Sequence, residues 1–259
     1  MILLTDFGQS DPYVGQVKGV LHRLCPGAAC IDLSHDLAPF DVVAGAWLID
    51  RCRPHMPESA VWLCVVDPGV GSARRILAAA RGRTRMVGPD NGLLSAFLRE
   101  PDCRVVAVDC APYAGAAATF HGRDIMAPVV GRLLRGAALE SLGAPVGDPV
   151  LLDGPGWEQT GSGAWRTRVM LVDRYGNLVT GLPAAAMSAA GAAVQGWVEQ
   201  QPCGALAITF AALPEGAAGM VLGGFGTLEV VVNRGSAARR FGVGAGAEVT
   251  VRAAPVVFP

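Results

Sequence analysis

The stretch Val61-Trp62-Leu63-Cys64-Val65-Val66-Asp67-Pro68-Gly69-Val70-Gly71 constrains the fold more than any other part of the sequence. An unbroken apolar run of this length, bounded by turn formers, fits a strand buried on both faces. Such strands belong to sheets covered by helices on either side. The run stops at a carboxylate, passes through a Pro-Gly-Val-Gly turn and reaches Arg74 and Arg75. Open α/β sheets present their ligand-binding groups at this carboxyl edge. Gly69 and Gly71 allow backbone to approach a ligand closely. The spacing Gly69-x-Gly71-x-x-Arg74 has an arginine where a dinucleotide fingerprint has its third glycine, and no Lys-Ser/Thr pair follows as in a phosphate loop. A different kind of small molecule is implied.

The remainder of the first half alternates strand and helix signals. Residues 2–4, 29–33, 61–66 and 104–108 read as strands, and residues 75–81 and 84–87 as a strand pair. Helical spacing of apolar residues covers 14–24, 40–53, 93–99 and 125–134, with Asp41 placed to favour the positive end of its helix. This pattern predicts an α/β domain over residues 1–147 with a mostly parallel sheet. Gly- and Pro-rich turn chemistry marks residues 148–164 as a linker. Beyond it, strands at 167–172, 205–210, 227–232 and 248–253, separated by glycine-rich turns, predict a smaller all-β, barrel-like domain over 165–259. An alanine-rich helix is read at 184–194.

Bulk composition narrows the function classes. A chain of 259 residues that is 51% hydrophobic and 17% charged can bury a large core. A net charge of −1, with Lys18 the single lysine, gives no nucleic-acid footprint. The seven cysteines never pair as Cys-x-x-Cys, and no two histidines have ligand spacing, so neither a disulfide scaffold nor a metal site is expected. The chain opens on a strand rather than a signal peptide, and no apolar stretch is long enough to span a bilayer. A soluble, cytoplasmic protein is expected, with no nucleic-acid or membrane partner.

Five polar clusters fall at predicted element ends: Asp6 with Asp11, Ser34-His35-Asp36, Asp67 with Arg74, Asp90-Asn91, and His121 with Arg123-Asp124. A strand-end aspartate is often only a cap or turn former, but this many at one sheet edge point to a ligand. His121 beside Asp67 and Arg74 would serve as a general base or as the orienter of a water. His35 reads as a hydrogen-bonded turn residue. A Ser/His/Asp hydrolase is a poor fit, because no Gly-x-Ser-x-Gly elbow occurs. In the second half, Asp173 and Asn177 flank a turn. They form either a hairpin corner or a carboxylate that grips an ammonium with an amide that reads a base edge.

Taken together, these blocks resemble the S-adenosylmethionine (SAM) hydroxide adenosyltransferases, or SAM hydrolases, relatives of the fluorinases and chlorinases. The resemblance rests on Thr5-Asp6-Phe7-Gly8, Asp11-Pro12-Tyr13-Val14-Gly15, Asp32-Leu33-Ser34-His35-Asp36, Val66-Asp67-Pro68-Gly69-Val70-Gly71, Pro89-Asp90-Asn91-Gly92-Leu93, Phe120-His121-Gly122-Arg123-Asp124, Asp173-Arg174-Tyr175-Gly176-Asn177 and Leu228-Glu229-Val230. It implies that Asp67, Arg74 and His121 activate a water that attacks ribose C5′ of SAM, giving adenosine and L-methionine without a cofactor. Asp6 then corresponds to the carboxylate that accepts both ribose hydroxyls, Phe40 to an aromatic flanking the nucleoside, Asp173 to the partner of the methionine ammonium and Asn177 to the adenine contact. Asp11, Gly69 and Gly71 fall in matching blocks and are expected along the substrate. The resemblance also implies a homotrimer with active sites between subunits. Where relatives carry a serine for the methionine carboxylate, this chain reads Gly223-Gly224-Phe225-Gly226. A halide nucleophile and a non-catalytic adenosine- or SAM-binding protein are the alternatives, and the presence of the triad favours water.

Overall fold

A computed structural model describes residues 1–154, 156–161, 163–190 and 194–253, and the chain divides into two compact units, Met1–Leu152 and Asp153–Pro259. In the first unit the strands are β1 (Ile2–Thr5), β2 (Ile31–Ser34), β3 (Val61–Val65), β4 (Ile76–Arg81), β5 (Thr84–Pro89), β6 (Arg104–Val108) and β7 (Gly143–Pro145). They form one sheet in the order β2-β1-β3-β5-β4-β6-β7. Pairing is parallel across β2-β1-β3-β5 and antiparallel from β5 through β4 and β6 to β7. The sheet is therefore mixed, and the parallel half carries the site. The antiparallel half follows from the β4–β5 hairpin, which turns at residues 82–83 with no crossover helix.

The apolar run is the buried strand the sequence predicts. Trp62, Leu63 and Cys64 of β3 have no exposed surface, and each such large apolar side chain contributes roughly 1.5–3 kcal/mol by leaving water. Helices α1 (Tyr13–Leu24) and α4 (Ala127–Leu134) cover one sheet face, with Val17, Leu21, Val129 and Val130 in the same core as Leu3, Leu63 and Val65. Helix α2 (Val42–Cys52) begins at Asp41, whose carboxylate accepts from Ala44 N at 2.9 Å. This is the N-cap geometry that satisfies an orphan amide. The short helix α3 spans Ser95–Leu98.

Much of the stretch read as a linker is ordered by specific bonds. Arg75 donates to Asp90 at 2.6 Å and to Asp148 at 2.7 Å, Asp90 accepts from Val150 N at 2.7 Å, and Ser95 Oγ accepts from Leu152 N at 2.8 Å. Residues 148–152 are thereby tied to the first unit. Trp157–Gly161 is itself a strand, β8, paired with β9 (Ala164–Val172). Turn chemistry marked the glycines correctly but could not show these partners for the backbone.

The second unit is antiparallel, in the order β12-β11-β15-β9-β10-β14-β13. Its further strands are β10 (Leu178–Pro183), β11 (Val194–Val198), β12 (Gln201–Ala205), β13 (Ala218–Leu222), β14 (Thr227–Val232) and β15 (Glu248–Ala253), with a short helix α5 (Ala237–Phe241). A bridge between Leu206 and Met220 brings the two ends of the sheet together, so the barrel nearly closes. Two expectations are corrected. The strand read at 205–210 lies one element earlier, at Gln201–Ala205, and Phe210–Ala212 is a 3-10 turn. The helix read at 184–194 is a 3-10 segment over Ala184–Ala190, and residues 191–193 lie outside the described residues. Among the described residues no helix is long and apolar enough to cross a membrane.

Candidate active site

Strand register brings the first functional groups together. Thr5 of β1 pairs in parallel with Val65 of β3, so Asp6 leaves the sheet at its carboxyl edge beside Val66, one residue before Asp67. The turn after Asp67 is closed by Val70 N to Asp67 O at 3.2 Å, Ser72 N to Gly69 O at 3.1 Å and Ser72 Oγ to the same carbonyl at 2.7 Å. Arg74 is folded back by it. Arg74 Nε donates to both Asp67 oxygens, at 2.9 and 3.1 Å, and Arg74 Nη2 donates to Asp67 Oδ2 as well. The two side chains are 10% and 5% exposed, so this is a largely buried, bidentate pair.

Gly71 permits that turn. Its φ is +78°, and a Cβ there would sit 2.7 Å from the carbonyl oxygen of Ala118, in the loop leading to His121. Gly71→Ala therefore forces apart the two segments that carry Arg74 and His121. Turnover is expected to fall on the order of a hundredfold from a misplacement of about 1 Å, at a backbone cost of about 1–3 kcal/mol. Steady-state rates with a thermal melt check this, and wild-type turnover in that variant contradicts it.

His121 precedes a π-helical turn, Gly122–Met126, a local irregularity common at functional sites. Its Nδ1 lies 3.1 Å from Arg74 Nη2. A guanidinium only donates, so Nδ1 is the acceptor and the ring is neutral with its proton on Nε2. Burial, reinforced by the Arg74 charge, holds this imidazole below its ordinary value despite Asp67 and Asp124 nearby. Arg74 thus stands between Asp67 and His121 and bonds to both. The neighbouring Arg123 and Asp124 have a scaffold role. Arg123 pairs with Asp124, donates to Gln16 Oε1 at 2.6 Å and lies 4.6 Å over the Phe120 ring, while Asp124 accepts from Ala117 N at 2.9 Å.

Asp67 and His121 line a cavity of about 280 Å³. Asp6, Asp67, Thr119 and His121 are its polar side chains. Phe7, Tyr13 and Phe120 wall it as an edge-to-face trio with centroids 5.4–6.0 Å apart. Phe40 completes it, 69% exposed and at φ +70°, with its N–H donated to Asp6 Oδ2 at 2.8 Å. A left-handed aromatic is a strained choice that surrounding bonds must hold. Burial and the adjacent Asp67 charge push the Asp6 carboxyl up, against the Phe40 N–H that stabilises its anion. Asp11 is exposed near the start of α1 and does not line this cavity. Asp90 and Asn91 belong to the scaffold: Asn91 Nδ2 donates to Val66 O at 2.8 Å and its Oδ1 accepts from Leu93 N.

The second unit holds a cavity of about 470 Å³ lined by Tyr175, Asn177, Phe210, Arg234 and Arg239 among others. Asp173 Oδ1 accepts from the backbone N–H of Tyr175 and of Asn177, both at 2.9 Å, and Oδ2 accepts from Asn177 Nδ2 at 2.8 Å. The Asn177 amide is thereby oriented with its carbonyl oxygen available as an acceptor. Burial and the Asp173 charge push up the carboxyl of Glu229, which is 5% exposed. Sequence reasoning named Phe40 but missed the other aromatic walls. Phe7, Tyr13 and Phe120 sit inside motifs already singled out, whereas Phe210 and Arg234 carry no local signal.

The sequence pattern of the SAM hydroxide adenosyltransferase N-terminal domain matches residues 1–143, and that of the C-terminal domain matches residues 167–250. The chain belongs to the SAM hydroxide adenosyltransferase family. Among its relatives in that family, an (R)-S-adenosyl-L-methionine hydrolase of Thermus thermophilus is 41% identical over 95% of this chain and 96% of its own. A crystal structure of an uncharacterized conserved protein from Thermotoga maritima superposes with a TM-score of 0.88 at 29% identity, covering 97% of this chain and 100% of that one. A fluorinase of Actinoplanes sp. is more distant, 27% identical over 56% of this chain and 57% of its own.

Proposed function

We propose that the protein hydrolyses SAM to adenosine and L-methionine by attack of an activated water on ribose C5′, in line with the departing sulfur. The observation that carries this reading is that Asp67 and His121 line one aromatic-walled cavity with Asp6 and are joined behind its wall by Arg74, which is paired with Asp67 and bonded to His121. A sulfonium already leaves readily, so the chemistry to be supplied is on the nucleophile, and no cofactor is required. Arg74 Nη1 makes no hydrogen bond to a described residue and is the donor for a hydroxide-like oxygen. His121 Nδ1 is committed to Arg74, so the imidazole orients the water through Nε2–H, and Asp67 takes the proton. Hydroxide and sulfonium lose charge as they combine, which a dry cavity favours. Asp6 accepts the ribose hydroxyls, with Phe40 against the nucleoside.

The relatives named as hydrolases act on the (R) form of SAM, and we extend that preference to this chain. Incubation with SAM of both sulfur configurations, with and without chloride, tests the function. Adenosine is expected in both cases, with the (R) form consumed first. 5′-Chloro-5′-deoxyadenosine would instead favour halide transfer, and the absence of turnover would favour a binding protein.

The pH profile follows from His121. Its neutral form is the active one, and its pKa is depressed from 6.5, chiefly by burial. Activity present above that pKa is lost as pH falls through it, so kcat is expected to stay level through 6.5 and decline only at more acid pH. A decline centred above 6.5 contradicts this assignment.

The working form is, on this reading, a homotrimer in which Asp173 and Asn177 of one copy reach a nucleoside held by another, Asp173 taking the methionine ammonium and Asn177 the adenine. Support comes from large apolar residues left in water beside the two cavities of a single chain: Phe40 at 69%, and Tyr175 at 78% exposure. Light scattering on the active protein checks it, and a fully active monomer contradicts it. All seven cysteines are free thiols, which suits the reducing cytoplasm.

A further inference from the structure

His35 is 1% exposed and lines no part of the cavity, yet it is bonded to both ends of the loop that carries Asp6. Its Nδ1 lies 2.8 Å from Thr5 Oγ1, and Thr5 Oγ1 also accepts from Phe7 N at 3.3 Å. Its carbonyl oxygen accepts from Gly8 N at 2.8 Å. Asp6 is thus held between anchors at Thr5, Phe7 and Gly8. On the far side of the ring, Nε2 is 3.2 Å from Asp32 Oδ1 but off the line of a full hydrogen bond. Asp32 Oδ2 accepts from Lys18 Nζ at 2.5 Å. The Asp32 charge favours the ring proton on Nε2, which leaves Nδ1 to accept from the Thr5 hydroxyl and leaves the Thr5 oxygen to accept from Phe7. Burying an imidazole merely to fill space is costly compared with an apolar side chain.

We infer that His35 and Thr5 are positioning residues, the inner members of a chain Lys18–Asp32–His35–Thr5 that fixes how the Asp6 carboxylate meets the ribose diol. This rests on the reading of Asp6 as the ribose partner. It predicts a defect in hydroxyl recognition, which general loosening of the fold would not produce.

The test compares kcat/KM for SAM and for S-(2′-deoxyadenosyl)methionine, well below the melting temperature of each protein. Wild type is expected to prefer the ribo substrate. Thr5→Val, which keeps the volume and removes the hydroxyl, is expected to reduce that preference about fivefold, the scale of one hydrogen bond, with the loss mainly in KM. Thr5→Ser is expected to restore it. A lower melting temperature with the wild-type preference intact overturns the inference alone. Equal use of both substrates by wild type overturns the Asp6 reading and the inference with it. If Thr5→Val does not fold, Asp32→Asn, on the exposed side of the chain, carries the test. A preference reduced by about half or more supports the inference, on the scale of a weak electrostatic contact, and an unchanged preference overturns it.

Discussion

Arg74→Ala is expected to lower kcat for SAM hydrolysis by about 10²–10³ while adenosine still binds. On this reading the guanidinium has three tasks: it neutralises Asp67, holds His121 in one tautomer through Nδ1, and offers Nη1 to the hydroxide-like oxygen. Removing it takes away the donor aimed at developing hydroxide and releases the imidazole. It also leaves Asp67, 5% exposed, without its counter-charge. Breaking a buried pair on one side typically costs about 3–5 kcal/mol, so a fall in melting temperature is expected alongside the kinetic loss. Arg74→Lys is not expected to rescue, because an ammonium cannot make the bidentate contact and reach His121 together. Calorimetry with adenosine separates binding from chemistry. Wild-type turnover in Arg74→Ala contradicts the account.

Asp67→Asn is expected to cost about 10²–10⁴ in kcat, the usual worth of a positioned general base. Volume is nearly kept, but the amide retains one acceptor oxygen and sets an NH2 against the Arg74 guanidinium, so a lower melting temperature is expected beside the kinetic loss. Raising the pH is expected to recover part of the rate, because hydroxide from solution then arrives already deprotonated. His121→Asn is expected to cost less, about tenfold, since it replaces an orienting group rather than the proton acceptor. The reverse order, with His121→Asn the more damaged, would move the base to His121. Parallel pH–rate profiles of the two variants make the comparison.

Much of this arrangement was legible in the sequence because it is local. The run 61–66 reads as a buried strand, Asp41 as a cap, and the blocks around Asp6, Asp67 and His121 as strand- and loop-end clusters. Parallel register then brings the strand ends together: Thr5 pairs with Val65, so Asp6 leaves the sheet beside Val66, one residue before Asp67. What the sequence hides is set by tertiary contacts. That Arg74 bridges Asp67 and His121 depends on how far the Gly69–Gly71 turn folds back. The scaffold roles of Asp90, through Arg75 and Val150, and of Arg123, over Phe120, depend on segments distant in the chain. Phe210 and Arg234 share a cavity with Asn177 through strand pairing between segments far apart in the chain, β10 with β14 for Arg234. The β4–β5 hairpin was legible as the strand pair at 75–81 and 84–87, whereas its antiparallel continuation through β6 and β7 was not, because alternation of strand and helix signals says little about pairing direction at a sheet edge.

In the proposed reaction a water oxygen forms the new bond to C5′. Turnover of SAM in oxygen-18 water, with mass analysis of both products, reads out where that oxygen goes. The label is expected in the 5′-hydroxyl of adenosine, with the methionine unlabelled. Adenosine without the label, or label found in methionine, would contradict attack at C5′ by water.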